Sequence, residues 1–254
     1  MIKHQENLQI QEAACMTLSN RIAANPELIK LIGEGDDNLL PLHRTVLAAL
    51  NIHSGDIYVF RAACEAIYEM AINSTDLQKY LFAKGASSSI IKEMTTNSNE
   101  VDVQWWGCKA LRALAHKNPY QAELMFIEDI LSVIYQTLKT FKNVSVLQEC
   151  IGLLVCLATD LPIMLRQCVM KEIPQLILRI GEENFESPIM VEIVLEAIGN
   201  FQNNKNTIFV FKSILAYAIF SKNYRNLFFT IKPIGNLFYW VIYEKGNEII
   251  LENF

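Results

Sequence analysis

Small and apolar residues recur along this chain at the spacing of one helical face, and the pattern itself repeats. A small anchor at Cys64 is followed by apolar residues three, six and seven positions later, and the same arrangement follows Cys108. Such positions lie on one side of a helix. The steps from Cys64 to Cys108, Ile151 and Leu195 are 44, 43 and 44 residues. Two further segments fit the pattern less regularly, with anchors at Cys15 and Ile231.

A second block recurs between the anchors. Asn118-Pro119 follows one anchor helix as a stop-and-restart signal, and Asn25-Pro26 follows another. A short helix, a tight turn and a second apolar helix then precede the next anchor, as in residues 169–177. We therefore predict an all-α solenoid of about five to six three-helix repeats over the whole chain, 1–254. Residues 1–202 are regular, whereas 203–254 form a divergent C-terminal cap or partial repeat.

The period and the three-helix pattern resemble the armadillo family, within the broader class of ARM/HEAT-like α-solenoids. Residues 11–15 (Gln-Glu-Ala-Ala-Cys), followed by Leu-Ser-Asn at 18–20, are similar to the anchor helix of that family. The turn at 172–177 is similar to the turn that precedes the anchor helix in that family. This resemblance covers residues 8 to 202. It implies a right-handed superhelix whose anchor helices line a concave groove, and a non-enzymatic scaffold that binds a peptide, a helix or a partner protein.

A narrower likeness concerns the first part of the chain. Residues 10–15, 41–47 and 107–111, together with Lys84-Gly85, look like the armadillo region of leucine-rich-repeat ROCO-type kinases and related kinase-like proteins. The likeness implies a scaffold in a kinase- or small-GTPase-linked complex. It does not imply the kinase itself, because the sequence has no Gly-rich loop, His-Arg-Asp or Asp-Phe-Gly motif.

Composition narrows the classes of partner. The chain is 52% apolar and 19% charged, with a net charge of −5. This acidic balance argues against nucleic acid, since phosphate binding needs a basic face. The first residues have no apolar signal-like core, and the longest apolar stretch, 227–243, is broken by Lys232 and Pro233. We expect no membrane insertion, and a cytoplasmic location with the nucleus as the alternative.

The groove-facing positions follow from the repeat. They should lie three residues before each anchor and one and five residues after it, along one helical row. Glutamates in this row favour a basic segment, the alternative being a solvated helix face. Nuclear-import adaptors carry a repeated Trp at the second of these positions, which this chain lacks in every unit. The predicted binding residues are Arg61, Glu65, Glu69, Trp105, Lys109, Gln148, Glu192, Glu196, Asn200, Lys232 and Asn236.

The Trp105-Trp106 pair leaves two interpretations open. Adjacent helical positions point about 100° apart, so the two rings cannot share one face. Either Trp105 faces the groove while Trp106 packs inward, or both side chains pack at the interface between adjacent repeats. The cysteines in register, Cys15, Cys64 and Cys108, are interpreted as small core residues. No histidine pair has ligand spacing and no nucleophile motif occurs, so we expect no catalytic residue, metal or cofactor.

The C-terminal segment is rich in aromatic residues, with 12 of the 25 in the chain lying between 208 and 254. Such an excess suits a bulky cap, a surface for self-association or a docking patch. Residues 248–251 have a helical pattern and are expected to pack on the body. Homo-oligomer formation through this end, or assembly into a larger complex through the ends or the convex face, is the alternative function. The residues proposed for the cap or the contact are Phe238, Tyr239, Trp240 and Tyr243.

Overall fold

The computed structural model describes residues 1–29, 42–159, 161–184, 186–200, 240–245 and 248–253. The chain divides into two units, Met1–Phe211 and Lys212–Phe254. The described part of the first unit consists of a 3₁₀ turn, Ile2–His4, and twelve α-helices. These helices are α1 (Leu8–Ala24), α2 (Leu42–Ile52), α3 (Ile57–Asn73), α4 (Thr75–Ala83), α5 (Ala86–Thr96), α6 (Val101–Ala115), α7 (Pro119–Ile127), α8 (Ile130–Thr140), α9 (Val144–Ala158), α10 (Pro162–Met170), α11 (Ile173–Glu183) and α12 (Pro188–Asn200).

The helices of the first unit stack in two ladders. The anchor helices α1, α3, α6, α9 and α12 pack one on the next and form the inner ladder. The second helices α2, α5, α8 and α11 stack beside them as the outer ladder, and the short helices α4, α7 and α10 connect the two. Each repeat buries apolar faces against both neighbours, which explains the low charge fraction of the sequence. For the described part of the first unit, the predicted all-α solenoid of three-helix units is confirmed.

Side-chain caps mark where two of the repeats restart. The Asn118 side chain accepts a hydrogen bond from the backbone N–H of Gln121 at 3.3 Å, and Pro119 occupies the first position of α7. The Ser74 hydroxyl caps α4 in the same way at 3.2 Å. A proline is well tolerated at this position because the first helical N–H groups have no intrahelical partner. The stop-and-restart signals therefore mark real helix boundaries.

The turn between the short and the outer helix has a left-handed residue in each of three repeats. Gly85 has φ +82°, Asp129 has φ +63° and Glu172 has φ +56°. Gly adopts this conformation without a steric penalty, whereas a side chain with a Cβ is strained there. The turn geometry is thus retained even where the residue is no longer Gly.

Buried polar side chains join neighbouring repeats. The Gln78 amide on α4 donates hydrogen bonds to the carbonyls of Ala113 and His116, both at 2.9 Å, and so caps the C-terminal end of α6. Gln104 on α6 donates to the Met94 carbonyl at 2.8 Å and accepts from the Thr137 hydroxyl at 2.8 Å. These bonds satisfy carbonyls that a helix end leaves without partners. They fix the register between successive units.

The second unit corrects one expectation. Residues 248–251 were expected to be helical, but the structure places them in a strand: β1 (Trp240–Lys245) pairs antiparallel with β2 (Glu248–Asn253). The physical reason is composition, since Trp, Val, Ile and Tyr dominate these segments and favour strands. Gly246-Asn247 stands between them in the sequence, which is a hairpin signal that the helical interpretation overlooked.

Candidate binding groove

The candidate site lies on the inner ladder, on the side-chain rows that stay accessible between the stacked helices. Arg61, Glu192 and Glu196 are exposed, whereas Glu65, Glu69, Trp105, Lys109 and Gln148 are half-buried. All of them belong to α3, α6, α9 or α12. We call the accessible rows of these helices, together with Glu12 on α1, the inner face. Of the other predicted positions, Asn200 is the last residue of α12, and Trp240 and Tyr243 are in β1. Lys232, Asn236, Phe238 and Tyr239 fall outside the described residues.

The centre of the inner face is a cluster of aromatic rings around one ammonium group. The Lys109 Nζ lies 4.4 Å from the centroid of the Tyr68 ring, 4.7 Å from Trp106 and 5.5 Å from Trp105. All three distances are within the range of cation–π attraction. We call the three rings the aromatic cage. It spans the seam between α3, which carries Tyr68, and α6, which carries both tryptophans.

The two tryptophans differ in exposure. Trp106 is only 7% exposed, whereas Trp105 is half-buried. Their ring centroids are 4.7 Å apart and the planes meet at 61°, an edge-on arrangement that is favourable for aromatic pairs. Trp106 therefore packs inward, and Trp105 retains accessible surface beside Lys109.

Carboxylates surround the aromatic cage. Partial burial raises the pKa of Glu69, as does the neighbouring Glu65, while the Lys109 ammonium opposes the rise. Partial burial also raises the pKa of the Tyr68 phenol, and the negative charge of Glu69 adds to this effect. The Arg112 guanidinium also acts on the Tyr68 phenol and opposes the rise of its pKa. Because Arg112 is itself paired with Glu149, Glu65 and Glu69 have the Lys109 ammonium as their nearby cation, which leaves local negative charge at the cage.

A second polar contact continues the inner face from α6 to α9. The Arg112 guanidinium lies 2.7 Å from the Glu149 carboxylate. A Cβ at Gly152 would lie 3.3 Å from the Arg112 Nη1 atom, so the absence of a side chain leaves the space that the guanidinium uses. Further along, Arg61 faces Asp102 at 4.0 Å in a more exposed pair. Arg112 and Arg61 are therefore paired within the chain.

The sequence reasoning missed Tyr68, Arg112 and Glu149. It followed a single row of positions, whereas the accessible stripe of a helix is wider than one row. Tyr68 and Arg112 both lie four residues after their anchors, Cys64 and Cys108. A second row of positions, four residues after each anchor, would have identified both Tyr68 and Arg112.

Acidic groups outnumber basic groups on the inner face. Besides the residues around the aromatic cage, Glu192 and Glu196 on α12 are exposed. The face holds seven carboxylates against three cations. These charged residues are Glu12, Glu65, Glu69, Asp102, Glu149, Glu192 and Glu196, and Arg61, Lys109 and Arg112.

Three further properties of the described residues concern metal ligands, helix length and thiol burial. No group of three or more His, Cys, Asp or Glu side chains is arranged to hold a metal ion among the described residues. In the same residues, no helix is long and apolar enough to cross a membrane. Burial raises the pKa of the Cys15 and Cys168 thiols to about 12, which keeps them protonated at neutral pH.

Comparison with solved structures defines the class of protein. An engineered protein from the Northeast Structural Genomics Consortium aligns with a TM-score of 0.70 at 18% identity, over 85% of this chain and 86% of its own. A designed armadillo repeat protein aligns with a TM-score of 0.68 at 16% identity, over 84% and 87%. Another, solved in complex with peptide (KR)4, aligns with a TM-score of 0.56 at 15% identity, over 86% and 85%. The fold is that of an armadillo solenoid.

The family follows from the sequence. The family model described as "LRRK2 ARM repeat" matches residues 1–172. The match covers more than half of the chain and includes the inner ladder from α1 to α9. The chain belongs to this family of armadillo repeats.

Proposed function

We propose that the protein is a non-enzymatic scaffold whose inner face binds an extended or helical segment of a partner protein, preferably a basic one. Armadillo repeats are typically binding scaffolds, and this chain carries an inner face of the same kind. The proposed setting is the cytoplasm, with the nucleus as the alternative.

The observation that carries the proposal is the charge and chemistry of the inner face. Half-buried aromatic surface at Trp105 and Tyr68 lies around the Lys109 ammonium. The charges of this ammonium and of Glu65 both act on the Glu69 carboxylate. Aromatic anchors contribute much of the energy in protein interfaces, and charge complementarity selects the partner. The excess of carboxylates therefore favours Lys- and Arg-rich segments. The structural neighbour that holds the peptide (KR)4 supports the same kind of ligand.

A titration with a defined peptide tests this proposal. The probe is the octapeptide (Lys-Arg)4, and an octapeptide of alternating Glu and Ser serves as the acidic comparison. The test variant combines Trp105→Ala, Glu65→Gln and Glu69→Gln. The control variant combines Tyr120→Ala, Glu182→Gln and Glu183→Gln, which are exposed positions away from the inner face with the same changes of residue type and charge.

We expect the basic peptide to bind the wild type and the control variant with similar affinity, measured by calorimetry at 50 mM salt. The affinity of the test variant for the basic peptide should be lower by about tenfold or more, because this variant lacks an aromatic anchor and two carboxylates. Equal binding to the test variant and the wild type would show that the inner face is not the binding site. The partner would then contact the ends or the outer ladder, as expected of an assembly subunit.

A further inference from the structure

We propose that the aromatic cage is a subsite for one Lys or Arg side chain of the bound segment, and that Lys109 fills this subsite in the unbound protein as an internal competitor. This inference rests on the proposed binding function and assigns its central contact. It also gives Lys109 a role opposite to that of an ordinary binding residue, since its removal should strengthen binding.

The geometry of the cage supports a cation as its occupant. Three rings from two helices face one ammonium at 4.4, 4.7 and 5.5 Å. A cation between several rings is attracted to each of them, and the attraction increases when water is partly excluded. Trp106 is nearly buried, so its ring is held in place by the solenoid core. The subsite is therefore rigid on one side and accessible on the other, through Trp105.

The local charge balance leaves room for a second cation. Glu65 and Glu69 lie one helical turn apart on α3, and Lys109 is the cation whose charge acts on Glu69. The repulsion between these carboxylates contributes to the raised pKa of Glu69. One incoming Lys or Arg would give two cations for two carboxylates, which removes the excess negative charge.

Lys109 can yield its place because a second acceptor is nearby. The Lys109 side chain is half-buried and has a flexible stem, and the Glu69 carboxylate lies within electrostatic reach of its ammonium. Moving from the rings towards Glu69 keeps the ammonium paired. Arg112, one turn further along α6, differs because it is paired with Glu149 at 2.7 Å and lies over Gly152. Lys109 is thus the mobile cation of the central cluster.

The test replaces Lys109 by a residue that keeps the stem and removes the charge. Lys109→Met should bind (Lys-Arg)4 about three- to tenfold more tightly than the wild type, because no ammonium of the chain then competes for the three rings. Removing any positive charge from an acidic face also favours a basic peptide, so Arg61→Met serves as the matched control. It removes one cation from the same face outside the aromatic cage. All variants are made in the full 254-residue chain.

We expect Lys109→Met to gain more affinity for (Lys-Arg)4 than Arg61→Met does. This gain in affinity should persist at 300 mM salt, where exposed charges are largely screened. Adding Trp105→Ala to Lys109→Met should abolish the gain. Equal gains in the two Met variants, or a gain that survives Trp105→Ala, would overturn the cage subsite even if the peptide binds the inner face. If the test variant of Trp105, Glu65 and Glu69 bound the peptide as tightly as the wild type, the proposed function itself would be overturned. The two failures are therefore distinguishable.

A second variant tests the subsite if Lys109→Met does not fold, as judged by its helical circular dichroism. Glu69→Gln removes the carboxylate that receives the displaced ammonium, and Glu192→Gln removes an exposed carboxylate of the same face. The subsite predicts a larger loss of peptide affinity for Glu69→Gln than for Glu192→Gln. Equal losses would mean that general charge alone determines binding.

Discussion

The Arg112 guanidinium on α6 lies 2.7 Å from the Glu149 carboxylate on α9, and it rests over Gly152 one turn further along α9. Two successive repeats are therefore joined on the inner face by an ion pair that packs against a residue without a side chain. The Arg112 and Glu149 side chains are 37% and 19% exposed, so solvent screens the pair and its contribution to stability is about 1 kcal/mol or less.

Two glycines of the inner ladder should respond differently to replacement by alanine. A Cβ at Gly107 would lie 2.5 Å from the Met94 sulfur and 2.7 Å from its Cγ, in the core. A Cβ at Gly152 would first meet the end of the flexible Arg112 side chain, at 3.3 Å. We expect Gly107→Ala to lower the free energy of unfolding by about 1–3 kcal/mol. Gly152→Ala should be neutral or stabilising by up to about 1 kcal/mol.

Urea unfolding followed by circular dichroism measures both changes as apparent free energies of unfolding, because the stability of a repeat protein is a sum over its units and their interfaces. A Gly107→Ala variant as stable as the wild type would mean that Met94 rearranges without cost. The packing of α5 against α6 would then be looser than the structure indicates.

The left-handed turn residues offer a stabilising change. Glu172 has φ +56° and Asp129 has φ +63°, where a Cβ is strained and glycine is not. Glu172→Gly should raise the free energy of unfolding by about 0.5–1 kcal/mol, since relief of strain exceeds the entropy cost of a new glycine. Lys171→Gly is the control, because Lys171 has φ −88° and gains nothing from the change. If both variants were destabilised alike, the turn would not be under strain.

The six cysteines should differ in reactivity. Cys15, Cys64, Cys108, Cys150 and Cys168 are buried, while Cys156 on the inner ladder is half-buried. Burial raises the pKa of Cys64 and Cys150, as it does for Cys15 and Cys168, so these thiols stay protonated at pH 8. Iodoacetamide should therefore label about one thiol per native chain quickly, and mass spectrometry should locate it at Cys156.

Cys156→Ser provides the check on this assignment, because it should remove the fast label and leave only labelling that follows unfolding. Fast labelling at several of the buried positions would contradict the packing of the inner ladder.

Self-association through the C-terminal end remains a prediction from the sequence. The aromatic excess in residues 208–254 predicts a sedimentation coefficient that increases with protein concentration. Trp240→Ser combined with Tyr243→Ser should reduce this dependence. A monomer mass at all concentrations would rule out the self-association. The control is Tyr58→Ser with Tyr120→Ser, two exposed aromatic residues of the first unit.

Much of the first unit follows from the sequence because helical periodicity and the repeat reinforce each other. Cys64 and Cys108 mark equivalent buried positions, and Asn118-Pro119 marks a helix start. Of the three rings of the aromatic cage, only Trp105 lies in the predicted row, together with the Lys109 ammonium that the rings surround, whereas Tyr68 and Trp106 lie outside it. Contacts across a seam depend on the rotation of one helix against the next, which no single segment of sequence determines.

The C-terminal strands were missed for a different reason. Residues 248–251 are apolar and short, and a short apolar run does not distinguish a helix from a strand. Pairing with Trp240–Lys245 determines the outcome, and that pairing lies outside the run itself. The Gly-Asn step between the two segments and their β-branched and aromatic residues are the local indications of a hairpin.

The most direct test of the central claim is to map where a basic peptide contacts the protein. A (Lys-Arg)4 peptide carrying a photoactivatable benzophenone at its centre is irradiated with the full chain, and the adducts are located by mass spectrometry. The account predicts adducts on α3, α6 and α9, concentrated near Trp105 and Tyr68, and their loss in the presence of excess unlabelled peptide. Competable adducts on α5, α8 and α11 of the outer ladder, with none on the inner face, would contradict it.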